Sequence, residues 1–191
     1  MPRHRFPDTR DRIEHAAIRL FVEKGVAETT VRDIARAVDI SEGALYRHFD
    51  SKDDLVWLVF KHHYVEFARA LRILADGETI ARDKIAAMIR GFCRAHDDDP
   101  LLFRFLLFVQ HGQLPKLTPD MLTPVEVMRS VLEAAIASGE IPDQHPDLAT
   151  ALVFGLVLEP AQFAAYGRLP FSMLAMCDRL IASAWAALKT A

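Results

Sequence analysis

The stretch that decides the fold is TVRDIARAVDISEGALYRHFDSK, residues 30–52. Apolar residues at helical spacing lie on either side of Asp39-Ile40, which indicates two short helices joined by a tight turn. The apolar positions that can pack these helices across the turn are Ile34, Val38, Ile40, Leu45 and Phe49. A helix-turn-helix of this kind places its second helix in the major groove of DNA. The stretch therefore predicts a DNA-binding protein.

Charge alone does not favour a nucleic-acid partner. The 191 residues carry a net charge of −3, and residues 1–55 contain ten Lys and Arg against eleven Asp and Glu. Because bulk positive charge is absent, binding to DNA must depend on donors at particular positions. Arg3, His4 and Arg5 open the chain. The residues predicted to contact DNA are Thr30, Arg32, Ser41, Glu42, Gly43, Tyr46, Arg47, His48 and Lys52.

These positions suggest different contacts with DNA. Tyr46, His48 and Lys52 can donate hydrogen bonds to phosphates, which position a protein without reading sequence. Arg32 and Arg47 can contact either a phosphate or the edge of a guanine.

Two further positions of the second helix differ in character. Gly43 has no side chain, so this helix can approach DNA closely. Glu42 repels phosphate, yet its carboxylate can accept a hydrogen bond from a cytosine amino group. The alternative interpretation of the whole stretch is a plain helical hairpin with a solvated face.

Helical spacing continues through the rest of the chain and predicts an all-α fold. An N-terminal three-helix helix-turn-helix domain, residues 1–52, is expected to precede a helical effector-binding and dimerisation domain, residues 53–191. Helices are predicted at about residues 9–24, 30–38, 41–49, 51–75, 80–96, 101–112, 124–138, 147–166 and 171–189. Three prolines predict a loop or broken helix at residues 114–124.

Composition argues against several other classes of protein. Cys93 and Cys177 are the only cysteines and are predicted to be buried thiols in a reducing, cytoplasmic setting. The N-terminus lacks the apolar core of a signal peptide. The longest apolar run, residues 148–158, is shorter than the roughly 20 residues that cross a bilayer. We therefore expect a cytoplasmic protein with no membrane partner.

No enzyme, metal or cofactor signature is present in the sequence. We find no glycine-rich phosphate loop, nucleophile elbow or zinc-protease motif. His62 and His63 point about 100° apart on a helix, so they do not chelate one ion easily. The aspartates that follow His96, residues 97–99, are better explained as solvated helix caps. We predict neither catalysis nor a cofactor.

Residues from about Thr9 to Leu58 resemble the DNA-binding domain of the TetR family of bacterial transcriptional repressors. The matching segments are RIEHAAIRLFVEKG, TTVRDIARAVDIS and GALYRHFDSKDDL. The resemblance implies DNA contacts from Thr30, Arg32, Gly43, Tyr46, Arg47, His48 and Lys52. The sequence departs from the family at Asp39, where a glycine usually forms the turn, and at Glu42, where a basic or neutral residue is frequent. A left-handed conformation at Asp39 would cost roughly 1–2 kcal/mol.

The resemblance also implies a ligand-binding and dimerisation domain in the rest of the chain. Its last two helices would form a four-helix bundle with a second subunit, and the leading hypothesis is a homodimeric repressor. A small apolar or aromatic effector would release it from a pseudo-palindromic double-stranded DNA operator by tilting the fourth helix. The two helices at the end of the chain are strongly apolar, as an interface requires. They could also be core helices of a monomer.

An effector pocket is expected among the fourth to eighth helices. The predicted ligand-binding residues are Trp57, Tyr64, Phe67, Met88, Phe92, Phe105, Phe108, His111 and Phe154. Further candidates are Phe103, His62, His63 and Gln110. Ordinary core packing is the alternative for each aromatic residue. Two other functions remain open: a helical small-molecule binding or adaptor protein whose head does not bind DNA, and an enzyme on a helical scaffold.

Overall fold

The computed structural model describes residues 8–190, so Arg3, His4 and Arg5 lie outside the described residues. These residues form nine α-helices and no β-strand. The helices are α1 Thr9–Lys24, α2 Val31–Ala37, α3 Glu42–Leu45, α4 Lys52–Asp76, α5 Ala81–Asp98, α6 Pro100–Gln113, α7 Pro124–Ala137, α8 Pro146–Ala165 and α9 Met173–Lys189. A 3-10 turn, Leu114–Lys116, occupies the proline-containing segment. The predicted all-α fold is confirmed.

Local capping explains why the helices begin where they do. The Thr30 hydroxyl accepts a hydrogen bond from Asp33 N, and the Asp33 carboxylate accepts one from Thr30 N, which completes a capping box. Ser41, Thr123 and Ser172 cap α3, α7 and α9 through their hydroxyls. Each cap satisfies a backbone N–H that has no partner within the helix.

The turn between α2 and α3 contains Asp39, the one non-glycine residue with positive φ among residues 8–190. Asp39 has φ +56°, which is the left-handed conformation expected for this position from the sequence. Ile40 N then donates to the carbonyl of Ala35, and Ser41 begins the next helix. The chain therefore makes this turn without a glycine, at a cost in conformational energy.

Contacts divide the chain into two compact units. The first unit runs to His63 and includes Arg104–Leu117, so it holds α1 to α3 and parts of α4 and α6. α1 packs on α2, and α2 packs on α3. The side chains of Ile13, Ile34 and Leu45 are fully buried between them. This packing fixes the orientation of α3.

The second unit comprises Tyr64–Phe103 and the chain from Thr118 onward. In it, α5 packs against α7 and α9, and α8 packs against α7 and α9. The core side chains that these helices bury include Ile85, Met88, Ile89, Leu132, Val153, Ala184 and Leu188. The second unit is thus one helical body with a core of its own.

Candidate nucleic-acid interface and ligand cavity

The short helix α3 ends at Leu45, where the sequence predicted it to reach about residue 49, because Arg47 N and His48 N donate three residues back in a tightened turn. The helix and this turn present one side to solvent and bury the other. Glu42, Gly43, Tyr46 and Arg47 are exposed, and Tyr46 retains 49% of its accessible surface. Leu45 on the opposite face is fully buried. A tyrosine half exposed beside an exposed arginine has no partner in the core, so both side chains remain available to an external ligand.

Helix α2, which packs on α3, carries further exposed donors. Arg32 and Arg36 are exposed on α2. The hydroxyl of Thr30 already donates to Asp33 Oδ2 at 2.8 Å within the capping box. The backbone and side-chain hydrogen bonds from Thr30 lower the pKa of Asp33, and Lys24 and Arg36 lower it further. Contact between Thr30 and DNA would therefore have to share an oxygen that already serves the cap.

Lys52 has a structural role that its sequence position did not reveal. Its Nζ donates to the carbonyl of Val26 at 2.8 Å and to that of Ala27 at 3.3 Å. An ammonium has three donors, so one of them is still available to a phosphate. The Ser51 hydroxyl accepts from Asp54 N at 3.0 Å and caps α4, as the sequence predicts.

Arg12 is a bracing residue that sequence reasoning missed. Its Nη2 donates to the carbonyl of Val38, which ends α2. The bond ties α1 to the turn that precedes α3. No sequence signal singled it out, because Arg12 is one of several charged residues on the exposed side of α1 and its partner is 26 residues away.

His48 differs from its exposed neighbours. It is half-buried, and the centre of its ring lies 6.4 Å from that of Phe49, which is fully buried. Ser41 is exposed, but its hydroxyl accepts from Ala44 N. These two predicted DNA contacts therefore also stabilise the α3 turn.

The second unit encloses an apolar cavity of ≈ 20 Å³, about the space of one water molecule. It is lined by Leu71, Met88, Ile89, Phe92, Met128, Val153, Phe154 and Val157. Three of the predicted ligand-binding residues, Met88, Phe92 and Phe154, meet there. The other residues of the cavity lining were not predicted, because an apolar side chain at helical spacing looks the same in sequence whether it lines a cavity or packs in a core.

The remaining predicted ligand-binding residues lie elsewhere. Tyr64 is buried, and its burial raises the pKa of its hydroxyl to about 12. Phe67 packs with Phe92 and with Phe103, with ring centres 6.1 and 6.4 Å apart. Both Tyr64 and Phe67 belong to the second unit, but neither lines its cavity.

Four predicted ligand-binding residues belong to the first unit. Phe105 is fully buried and stacks on Phe21 at 6.1 Å, which makes it part of that unit's core. The ammonium groups of Lys61 and Lys116 lie 6.0 and 5.8 Å from the centre of the Trp57 ring. Phe108 and His111 are exposed. None of these four residues lines the cavity of the second unit.

An open apolar groove of ≈ 740 Å³ lies between α8 and α9. Its apolar lining includes Leu156, Pro160, Phe163, Leu169, Phe171 and Leu180. Phe163 and Phe171 are about half exposed, and so is Leu148 nearer the start of α8. Among the described residues α8 is the one helix long and apolar enough to cross a membrane by length and composition, which the sequence prediction did not anticipate. Only 28% of that segment is buried within the chain.

An all-α chain whose N-terminal helices form an exposed helix-turn-helix belongs to the class of helix-turn-helix proteins. Residues 13–57 match the family model for bacterial regulatory proteins of the tetR family. Over these residues the chain is therefore similar to the DNA-binding domain of the TetR family.

Known relatives extend the comparison. The chain is 36% identical over 84 residues to the HTH-type transcriptional repressor Rv3405c of Mycobacterium tuberculosis, covering 42% of this chain and 45% of the repressor. It thus spans under half the length of that relative. It is 24% identical over 149 residues to the fatty acid metabolism regulator protein of Bacillus subtilis, covering 75% and 77% of the two chains.

A solved structure shares the fold over most of the chain. The transcriptional regulator FadR from Bacillus subtilis, in complex with stearoyl-CoA, superposes with a TM-score of 0.75. The superposition covers 91% of this chain and 96% of that one at 20% sequence identity. At this identity the likeness defines the fold and leaves the ligand open.

Proposed function

We propose that this protein is a DNA-binding transcriptional regulator that represses its target genes until a small apolar effector binds. The observation that carries the proposal is the exposure of Tyr46 and Arg47 in the turn that directly follows α3, beside the buried Leu45. The match of residues 13–57 to the tetR family and the name of the mycobacterial repressor support it. Arg32 on α2 extends the same set of donors.

We further propose that the protein acts as a homodimer joined through α8 and α9. The apolar groove between these helices and the exposed Phe163 and Phe171 would be costly to leave in water. A second copy would supply a matching surface through a two-fold axis. The same requirement accounts for the apolar composition of α8 without a membrane. Two recognition helices would then contact successive major grooves about 34–36 Å apart.

The effector site that we propose is the cavity lined by Met88, Phe92 and Phe154. Its walls are apolar, so the part of the effector that enters it carries no charged or strongly polar group. At ≈ 20 Å³ the cavity holds no effector as it stands, so binding must widen it. Methionine side chains, Met88 and Met128, line it and adapt readily because they are unbranched. A long acyl chain, as in the stearoyl-CoA complex of the Bacillus regulator, fits this chemistry.

Helix α4 is the proposed link between effector and DNA. Its first residue is Lys52, and its C-terminal part contributes Leu71 to the cavity. A ligand that widens the cavity displaces Leu71 and, through a continuous helix, the α4 end that contacts the α1–α2 loop. The shift in equilibrium equals the difference in the effector's affinity for the two states.

A gel-shift experiment tests the proposal. The purified dimer is titrated against the DNA flanking its own gene and against a shuffled fragment of equal length, at low salt. We expect a specific complex that Arg47→Ala abolishes and that a long-chain acyl compound dissociates. Equal affinity for both fragments, with the dimer intact, would rule out a sequence-specific regulator.

Two observations favour a second function. The head has a net charge of −1 over residues 1–55, and the hydroxyl of Thr30 and the ammonium of Lys52 are already engaged by protein groups. A helical small-molecule binding or adaptor protein whose helix-turn-helix domain does not bind DNA would have these properties. In that case acyl compounds would bind, while both DNA fragments would bind equally weakly in the gel shift.

A further inference from the structure

Polar links at two points set the register of α5 against α9. Arg90 Nη2 donates to Asp178 Oδ1 at 2.9 Å. About two helical turns further along α5, the Asp97 carboxylate accepts hydrogen bonds from the backbone N–H groups of Met173 and Leu174, at 3.0 and 2.9 Å. Residue numbers rise along α5 while those of the contacting residues on α9 fall. The two helices are therefore antiparallel.

This register places Cys93 opposite Cys177. Cys93 lies between Arg90 and Asp97 on α5, and Cys177 lies between Met173 and Asp178 on α9. Both thiols are buried, with 0% and 3% of their residue surface exposed. Burial, and next the adjoining Cys177, raises the pKa of Cys93 to about 12. The two thiols thus contact one another although 84 positions separate them in sequence.

We propose that Cys93 and Cys177 form a reversible intrachain disulfide when the protein meets a small uncharged hydroperoxide. The peroxide oxidises one of the two thiols to a sulfenic acid and leaves as the alcohol, or as water when it is hydrogen peroxide. The sulfur of the other cysteine then attacks the sulfenic sulfur, its proton joins the departing hydroxyl, and water is released. Two thiols lose two electrons in total, and the peroxide O–O bond accepts them.

The burial of the pair decides how fast this reaction runs. Thiolates are the reactive form, and a raised pKa leaves Cys93 protonated at neutral pH. Reaction therefore waits for local opening around the two thiols. Both cysteines expose 3% of their surface or less, so access favours neither of them as the first to react. The disulfide is consequently slow to form but confined to the two facing sulfurs.

The proposed disulfide would link α5, which contributes Phe92 to the cavity lining, to α9. Phe92, which lines the cavity, directly precedes Cys93 on α5. A crosslink that closes so long a loop reduces the entropy of the unfolded chain. We expect the oxidised protein to melt on the order of 10 °C higher than the reduced protein.

The test treats the folded, full-length protein with hydrogen peroxide and follows its intact mass. We expect a monomer lighter by two hydrogen atoms, with no thiol available for alkylation in denaturant until dithiothreitol is added. Cys93→Ser and Cys177→Ser are the matched controls, because each retains one thiol and cannot form the intrachain bond. A parallel sample is oxidised in urea after unfolding.

Three results would overturn the proposal. The first is a gain of oxygen atoms on either cysteine without loss of two hydrogens in the folded wild type. The second is disulfide formation between chains only. The third is an intrachain disulfide that forms in urea but not in the folded protein, because the native register would then have no part in it. The urea comparison uses only wild type, so it holds even if a serine variant fails to fold.

Discussion

The ammonium of Lys52 donates a hydrogen bond to the carbonyl oxygen of Val26 at 2.8 Å and a second to Ala27 at 3.3 Å. Both carbonyls follow the end of α1, so the first residue of α4 is tied to the loop between α1 and α2. The residue assigned to phosphate contact by its sequence position therefore also stabilises the head in the absence of DNA.

Lys52→Ala is expected to lower both the stability of the protein and its affinity for DNA. Loss of the hydrogen bonds to Val26 and Ala27 should reduce the free energy of unfolding by about 1 kcal/mol. Loss of the charge should weaken binding to all DNA sequences alike and reduce the salt slope by about one unit. Urea denaturation and gel shifts over a salt series measure the two effects.

Lys24→Ala is the matched control for this substitution. Lys24 is another lysine of the head, and its Nζ forms an exposed ion pair with Asp33 at 3.9 Å. Its removal should change the free energy of unfolding by less than about 0.5 kcal/mol. An unchanged urea midpoint for Lys52→Ala would mean that the carbonyl contacts contribute no stability.

Glu42→Gln separates two roles for the carboxylate on the exposed face of α3. Without the negative charge, affinity for random DNA should rise about threefold, because an unfavourable interaction with phosphate is lost. If the carboxylate accepts from a cytosine amino group, discrimination at that base pair should fall by about 1–3 kcal/mol. Binding to a panel of single-base operator variants measures both. Unchanged affinity for every fragment would place Glu42 away from DNA.

Asp39→Ala should destabilise the turn between α2 and α3. Asp39 has φ +56°, a conformation that aspartate tolerates better than alanine does. The expected loss is about 1 kcal/mol in the free energy of unfolding, measured by urea denaturation. Asp39→Gly should avoid that loss, since glycine adopts positive φ without steric strain. Equal destabilisation by both substitutions would show that the side chain of Asp39 matters and its backbone conformation does not.

Asp97 should confer a stability that depends on pH. Its burial tends to raise its pKa, but hydrogen bonds from Leu174 N, His96, Met173 N and Ser172 outweigh burial and lower the pKa below its ordinary value. A carboxylate with a lowered pKa in the folded state contributes stability above its unfolded pKa of about 4, and that stability is lost as the pH falls through the folded pKa. Asp97→Ala should therefore cost about 1–2 kcal/mol at pH 7 and less at pH 3.

Asp98→Ala is the control, because Asp98 is the exposed neighbour of Asp97 on the same helix. Urea denaturation of both variants and the wild type at the two pH values gives the comparison. A cost for Asp97→Ala that does not shrink between pH 7 and pH 3 would exclude the ionised carboxylate as its source.

Predictions that depend on neighbouring residues in the sequence were accurate. The capping box at Thr30, the cap at Ser51 and the proline start of α7 are each encoded within four residues, so helix bounds could be inferred from local chemistry. The left-handed turn at Asp39 was expected from the resemblance to the TetR family, in which glycine is usual at this position. Asp99 caps α6 through Leu102 N, as the aspartate run suggested.

Predictions that depend on which helices pack together were less complete. Among the aspartates at residues 97–99, Asp97 caps α9 across 76 positions, which no local pattern could indicate. Met88 and Phe92, two of the predicted ligand-binding residues, line the apolar cavity, whereas Phe105 belongs to the core of the first unit. An aromatic residue looks the same in sequence whether its helix faces a cavity or a core, because helical spacing describes one helix and not its neighbours.

The sequence by itself determined most helix bounds, the caps at Thr30, Ser41, Ser51 and Thr123, and the helix-turn-helix, since each follows from interactions over a few residues. Only the tertiary structure decided that Lys52 binds the α1–α2 loop, that Arg12 braces the turn at Val38, and that Cys93 faces Cys177. Those contacts join residues 26 to 84 positions apart, and their geometry is set by the packing of whole helices.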